Sequence, residues 1–233
     1  MIRGFMKSRR RRLLLDIGTQ KDFFLASGNA CIRNHRRILA NVRRVIAWAR
    51  VNRVPIISIC EVYSNDNSGE PKKYCLDGTE GQNKIHYSLL SGRVSFPADS
   101  FINLPHDVLR HHRQLILHER SWDAFNEPLI ERLLSEIRVR EFIVIGANTD
   151  EAVQAAVLGL IQRQKRVTVV CDAVGSRNLR EAKMAFRKMK AKGATLTETR
   201  KLAGTSHLQL VGTCDCPSCK GRNRKRSVKL NVM

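Results

Sequence analysis

The sequence predicts a three-layer α/β/α fold around a doubly wound, mainly parallel sheet of six strands. Short β-rich apolar runs alternate with helical patterns along most of the chain, as in a parallel sheet covered on both faces. Six such strand–helix steps, joined by right-handed crossovers, wind into an open sheet. At 233 residues the chain can bury one sizeable core.

The elements follow in order. Residues 13–16 form the first strand, three leucines stopping at Asp16. Residues 31–52 form a long helix whose Ile38, Val42, Val45, Ile46 and Ala49 recur at helical spacing. Residues 55–60 are the second strand, 65–81 a polar loop, and 82–90 a short helical piece before an irregular crossing through Phe96 and Pro97. The third strand is 114–118, and the helix 127–137 carries Pro128 in its first turn. Strand four spans 141–145, and Thr149 is the expected N-cap of a helix over 149–164. Strand five is 166–171, followed by a helix over 178–192 closed by Gly193 and a sixth strand over 195–199. Strand carboxyl ends near residues 16, 60, 118, 148 and 171 are then expected on one rim, where such sheets place their functional groups. After Leu202 the pattern fades, which divides the chain into a basic segment 1–12, a domain over 13–203 and a Cys-rich basic tail over 204–233.

No apolar run approaches the ~20 residues of a membrane span, and the three leucines after the basic start are too few for a signal-peptide core. A cytoplasmic location without membrane contact is expected. Seven cysteines, an odd number, do not form a secreted disulfide framework. The formal net charge of +21 favours polyanionic partners.

Four motifs carry chemistry. Asp16 is followed by Thr19, Gln20, Asp22 and Phe23; Tyr74-Cys75 precedes Gly78-Thr79-Glu80-Gly81; Gly146 precedes Thr149-Asp150 and Ala152-Val153; and Asp172-Ala173 ends strand five. In this order they resemble the isochorismatase-like cysteine hydrolases, the superfamily of nicotinamidases, isochorismatases and N-carbamoylsarcosine amidases. The resemblance covers roughly residues 13–199 and implies the fold predicted above, together with a homo-oligomer. It also implies an Asp–Lys–Cys triad, in which a thiolate at a helix N-terminus attacks a carbonyl and backbone N–H groups hold the oxyanion.

Carried over residue by residue, the aspartate is Asp16 and the lysine position falls on Glu119, beside Arg120. The cysteine position is Ala152, in a turn whose Asn148, Thr149 and Glu151 would frame the oxyanion. A methyl group offers no lone pair, so the covalent chemistry is lost there. The same turn also reads as a well-capped helix start with acids in its first turn. Cys60 and Cys171, ending strands two and five, are the candidate substitute nucleophiles, although single strand cysteines are usually buried hydrophobes. Where the nicotinamidase branch carries a metal-binding Asp-x-His, this chain has Glu61-Val62-Tyr63, which predicts no metal at that place. His111 and His112 read as solvated.

Cys214, Cys216 and Cys219, with His207 upstream, supply four ligands suited to a structural zinc, the only cofactor expected; a flexible tail with free thiols is the alternative. Arg36, Arg43 and Arg50 recur every seven residues, flanked by Arg33, Arg37 and Arg44, and further basic runs lie at 9–12 and 222–229. Such clusters suit phosphates. They equally suit a solvated face, since few aromatics interleave for base stacking. Three functional readings stay open: a catalytically degenerate member binding a small ligand or protein partner at the rim, a hydrolase using displaced groups, and a nucleic-acid binder.

Overall fold

The structure is a computed structural model, and it describes residues 10–64, 72–98, 104 and 108–204. Among the described residues seven strands form one sheet: β1 Arg10–Ile17, β2 Ile56–Glu61, β3 Arg93–Phe96, β4 Gln114–Glu119, β5 Val139–Ala147, β6 Val167–Gly175 and β7 Thr195–Thr197. Their order is β3-β4-β2-β1-β5-β6-β7 and every pairing is parallel. The expected six strands are corrected to seven. The added one is β3, a four-residue edge strand paired only with β4, in the stretch read as an irregular crossing.

The helices are α1 Lys21–Phe24, α2 His35–Val51, α3 Val108–His111, α4 Pro128–Glu136, α5 Gln154–Gln162, α6 Leu179–Ala191 and α7 Thr199–Ala203. Alternation along the strands splits the core in two. Leu13, Leu15, Ile57, Ile59 and Val144 pack with Ile130 and Leu134 of α4, Val157 and Leu160 of α5, and Met189 of α6. Leu14, Ile56, Ile143 and Ile145 pack instead with Phe23 and Phe24 of α1 and Val42, Val45 and Ala49 of α2. Each fully buried aliphatic side chain contributes about 1.5–3 kcal/mol, and the period of two directs half of them to each face. That is the three-layer arrangement the sequence predicts.

From β1 the chain passes to β2 beside it, out to the edge strand β3 and back in to β4, then crosses to β5 on the other side of β1. The winding therefore reverses beside β1 and β5, and open sheets have their crevice at such a reversal. Gly146 makes the approach of these strands possible. It has φ +128°, and a Cβ there would lie 1.7 Å from the Ile17 carbonyl oxygen. No helix among the described residues is long and apolar enough to cross a membrane.

Candidate functional site

Asp16 ends the run of three leucines on the α1–α2 face of the sheet, fully buried. Its register partner on β2 is Ser58, whose hydroxyl donates to Asp16 Oδ2 at 2.9 Å. Thr19 Oγ1 donates to the same oxygen at 3.1 Å, and Lys84 Nζ at 2.8 Å. Lys84 also donates to Thr19 Oγ1. Behind them Gln114 Nε2 donates to Ser58 Oγ at 2.8 Å and to the Ser88 carbonyl at 2.7 Å. Asp16 Oδ1 has no hydrogen-bond partner among the described residues. A carboxylate with one oxygen tied down and one free is arranged to accept a proton on the free side.

Lys84 is the residue that sequence reasoning missed. The loop after Gly81 runs along the end of β1 through a Gln20–Lys84 antiparallel bridge, with Lys21 N–H donating to the Asn83 carbonyl and Ile85 N–H to that of Thr19. Gln20 clamps the same loop, its amide donating to the Glu61 and Gln82 carbonyls. Asp22 accepts from Cys75 N–H at 2.7 Å, and a Cβ at Gly81 would collide with that carboxylate. The Thr19-Gln20-x-Asp22 and Gly-Thr-Glu-Gly motifs are thus two halves of one joint, and the joint delivers the ammonium to Asp16. The available signal was the position of Lys84 three residues beyond that glycine-rich turn.

Glu119 does not stand beside Asp16. By strand register it pairs with Glu61 and continues the face of Leu115 and Leu117, opposite the face of Asp16. The carboxylate beside Glu119 in the sheet is Glu61, not Asp16. Glu119 is fully buried, and neither carboxylate oxygen has a hydrogen bond among the described residues. Burial, then the charge of Glu61, pushes its carboxyl well above the usual range. Burial likewise raises Glu61 to about 7, against the opposing effect of the Tyr63 hydroxyl that donates to it at 2.7 Å.

The turn that the resemblance marks as the nucleophile's place follows β5. Thr149–Val153 make a π-type turn that leads into α5. Asn148, rather than the expected Thr149, takes the cap position, and no side chain caps the turn. Thr149 is buried, and Ala152 is only 2 % exposed. Asn148 Nδ2 donates to Glu151 Oε2 at 2.9 Å, while Asn148 Oδ1 has no partner among the described residues.

The substitute nucleophiles are poorly placed. Cys60 is fully enclosed, and burial first pushes its thiol up to about 12. Cys171 is not at the rim, since β6 continues four residues beyond it to Gly175, and its Sγ lies 3.8 Å from the Val169 carbonyl. Burial raises that thiol as well, and also that of the enclosed Cys75. The residues at the nicotinamidase metal position do not fit a metal. Tyr63 packs edge-on against Tyr74 while its hydroxyl is committed to Glu61, and among the described residues no three His, Cys, Asp or Glu side chains form a metal-binding group. His207, Cys214, Cys216, Cys219 and the basic runs at 1–9 and 222–229 lie outside the described residues.

One groove of about 710 Å³ opens at the carboxyl ends of β5 and β6. Asn148, Asp150 and Glu151 of the turn line one side, and Arg177 and Arg180 at the start of α6 line another. Arg33 completes it, its backbone N–H donating to the Ser176 carbonyl at 2.9 Å and its Nε to the Arg177 carbonyl at 3.3 Å. Arg177 stands 4.0 Å from Glu151.

The comparisons agree with this architecture. The MAR1 ribonuclease of Caenorhabditis elegans is similar at 21% identity, covering 97% of this chain and 93% of its own, with a TM-score of 0.57. The nicotinamidase/pyrazinamidase of Bacillus subtilis shows 18% identity over 81% of this chain and 100% of its own, TM-score 0.64. N-carbamoylsarcosine amidase of Thermoplasma acidophilum shows 17% identity over 81% and 96%, TM-score 0.62. No curated protein matches significantly. The isochorismatase-domain family model matches residues 12–201, well over half of the chain. With that match added to the parallel sheet and the reversal beside Asp16, the chain belongs to the isochorismatase family.

Proposed function

We propose that this chain keeps the isochorismatase fold without its cysteine chemistry, and that its rim binds RNA through the phosphodiester backbone. The observation that carries the first half is Ala152, buried at the place of the nucleophile while Asp16 and a cation partner remain assembled. A general base with no thiol to deprotonate leaves the amide reaction without its covalent step. Cys60 and Cys171 do not replace it, because burial holds both thiols protonated.

The second half rests on the groove beside that turn, where Arg33, Arg177 and Arg180 converge on a chain of net charge +21. Arginine forks suit phosphate oxygens. The similarity to a protein named as a ribonuclease, spanning 97% of this chain, supports RNA over a small amide as the ligand. The cysteine cluster at 214, 216 and 219 with His207 is proposed as a separate zinc site, checked by metal analysis of the purified chain.

The test has two arms. An amide panel including nicotinamide is run with and without thiol alkylation, and no alkylation-sensitive turnover is expected. Labelled single-stranded RNA is then titrated at about 50 mM salt, where phosphate contacts are strongest, and saturable binding is expected. Turnover abolished by alkylation overturns the first half. RNA that fails to bind at low salt overturns the second.

A further inference from the structure

The groove presents two kinds of chemistry on opposite walls. Arg177 and Arg180 flank the start of α6, a helix of 13 residues, and Arg33 reaches the same corner from the chain leading into α2. The amino end of a helix adds positive potential to these guanidinium groups. The other wall is made of acceptors. Asn148 is 2 % exposed, and its Oδ1 has no hydrogen-bond partner among the described residues. Among the same residues Asp150 Oδ1 is also without one. Glu151 is already engaged, accepting from Asn148 Nδ2 and facing Arg177. Three arginines against two carboxylates leave one net positive charge in the groove.

Such unsatisfied acceptors are costly at a protein wall, and a ligand that donates hydrogen bonds would relieve them. A phosphate alone cannot donate. A ribose can, because its 2′-hydroxyl is both donor and acceptor, and deoxyribose lacks that group. Resting on the RNA-binding reading above, we infer that this groove seats one ribonucleotide unit of an RNA strand. Arg33, Arg177 and Arg180 hold its phosphate, and Asn148 Oδ1 accepts the single proton of its ribose 2′-hydroxyl. The groove therefore distinguishes RNA from DNA, which the charge of the chain alone does not do.

The experiment compares the full chain binding a short RNA and its all-2′-deoxy counterpart of the same base sequence (uracil retained) by fluorescence anisotropy. RNA is expected to bind about tenfold more tightly. The Arg177→Ala/Arg180→Ala pair is expected to weaken RNA binding about tenfold and to lower the salt slope by about 0.7, the share of the one phosphate they hold. The Arg187→Ala/Lys190→Ala pair removes the same charge from the far half of α6 and is expected to change binding about twofold at most. Asn148→Ala is expected to erase the preference for RNA over the deoxy strand while phosphate-driven affinity remains. If Asn148→Ala unfolds in a thermal melt, the deoxy substitution in the ligand still tests the preference without touching the protein. Equal binding of RNA and the deoxy strand overturns the inference, as does equal weakening by the two charge pairs. Failure of the wild-type chain to bind RNA at all overturns the reading beneath it, a result distinguishable from both.

Discussion

The ammonium of Lys84 and the carboxylate of Asp16 meet at 2.8 Å with both side chains almost wholly removed from water. Burying either charge alone costs several kcal/mol, and removing one member of such a pair typically costs about 3–5 kcal/mol. Lys84→Met is therefore expected to lower unfolding stability by about that amount in urea titration. Adding Asp16→Asn should recover part of the loss, because the two effects are coupled. A loss below about 1 kcal/mol would mean that the pair is solvated, as surface pairs are. Glu61 and Glu119 give a pH signature of known sign. Both carboxyls are raised in the folded chain by burial, so the folded state holds protons that the unfolded state has released. Their contribution is fully present below pH about 4.5 and is lost as pH rises, through about 7 for Glu61 and further for Glu119. Each group has a slope of up to about 1.4 kcal/mol per pH unit inside its window. Glu119→Gln should flatten that loss and be more stable than wild type at pH 8, read as the urea midpoint at pH 5 and pH 8. A wild-type midpoint that rises across this range would contradict it. At this scale the sequence showed Asp16 and Ala152, because each sits in a motif. Lys84 was hidden because Gln82, Asn83 and Lys84 look like ordinary solvated loop until the loop is folded against β1.

Elements announce themselves when their periodicity is strong, and β1, β2 and β4 to β7 appeared within a few residues of their expected places. Boundaries moved where backbone conformation decided them. Helix α2 starts at His35 rather than residue 31, because Asn34 adopts a left-handed φ of 57° that interrupts the helix. Strand β6 runs to Gly175, past the bulge opposite Val144 and Gly146, and so carries Cys171 away from the rim. The edge strand β3 has only Val94 and Phe96 as its half-buried face, too little apolar pattern to stand out from loop. The turn after β5 is where local preference and tertiary packing disagree: Thr149 is a good capping residue by type, yet it is buried inside a π-type turn. Gly146 is the hinge of this element. Gly146→Ala would force a β-carbon onto the Ile17 carbonyl in a backbone region that disfavours side chains. It is expected to cost more than about 4 kcal/mol, seen as loss of the folded circular-dichroism signal or a collapsed melting temperature. Gly193→Ala, at φ +109° but with no atom within 4 Å, should cost about 1 kcal/mol. Similar losses at the two sites would show that backbone conformation alone, and not the approach of β1 to β5, sets the requirement.

The whole molecule carries 42 lysines and arginines against 21 aspartates and glutamates. A net charge of this size opposes compaction, because every folded arrangement brings like charges closer than the unfolded chain does. Three of those charges gather at the groove, while Arg36 and Arg37 are exposed along α2. Self-repulsion acts through solvent between exposed groups, so it is screened within about 10 Å at 0.1 M salt. Two consequences of opposite salt dependence follow. For the free chain, raising monovalent salt from about 20 to 300 mM should increase the melting temperature by a few degrees, since screening weakens the repulsion. With RNA present the order reverses: binding stabilises the folded chain most at low salt, and the added stability disappears as counterion release loses its advantage. The two melting curves should therefore converge at high salt, and the logarithm of the RNA affinity should fall linearly with the logarithm of salt, by about 0.7 for each phosphate contacted. Thermal melts across a salt series, with and without RNA, measure both at once. A free chain destabilised by salt would show that attractive ion pairs such as Arg163–Glu131 outweigh the net charge. RNA stabilisation that persists unchanged at 300 mM would place the recognition in base contacts rather than in the phosphate backbone.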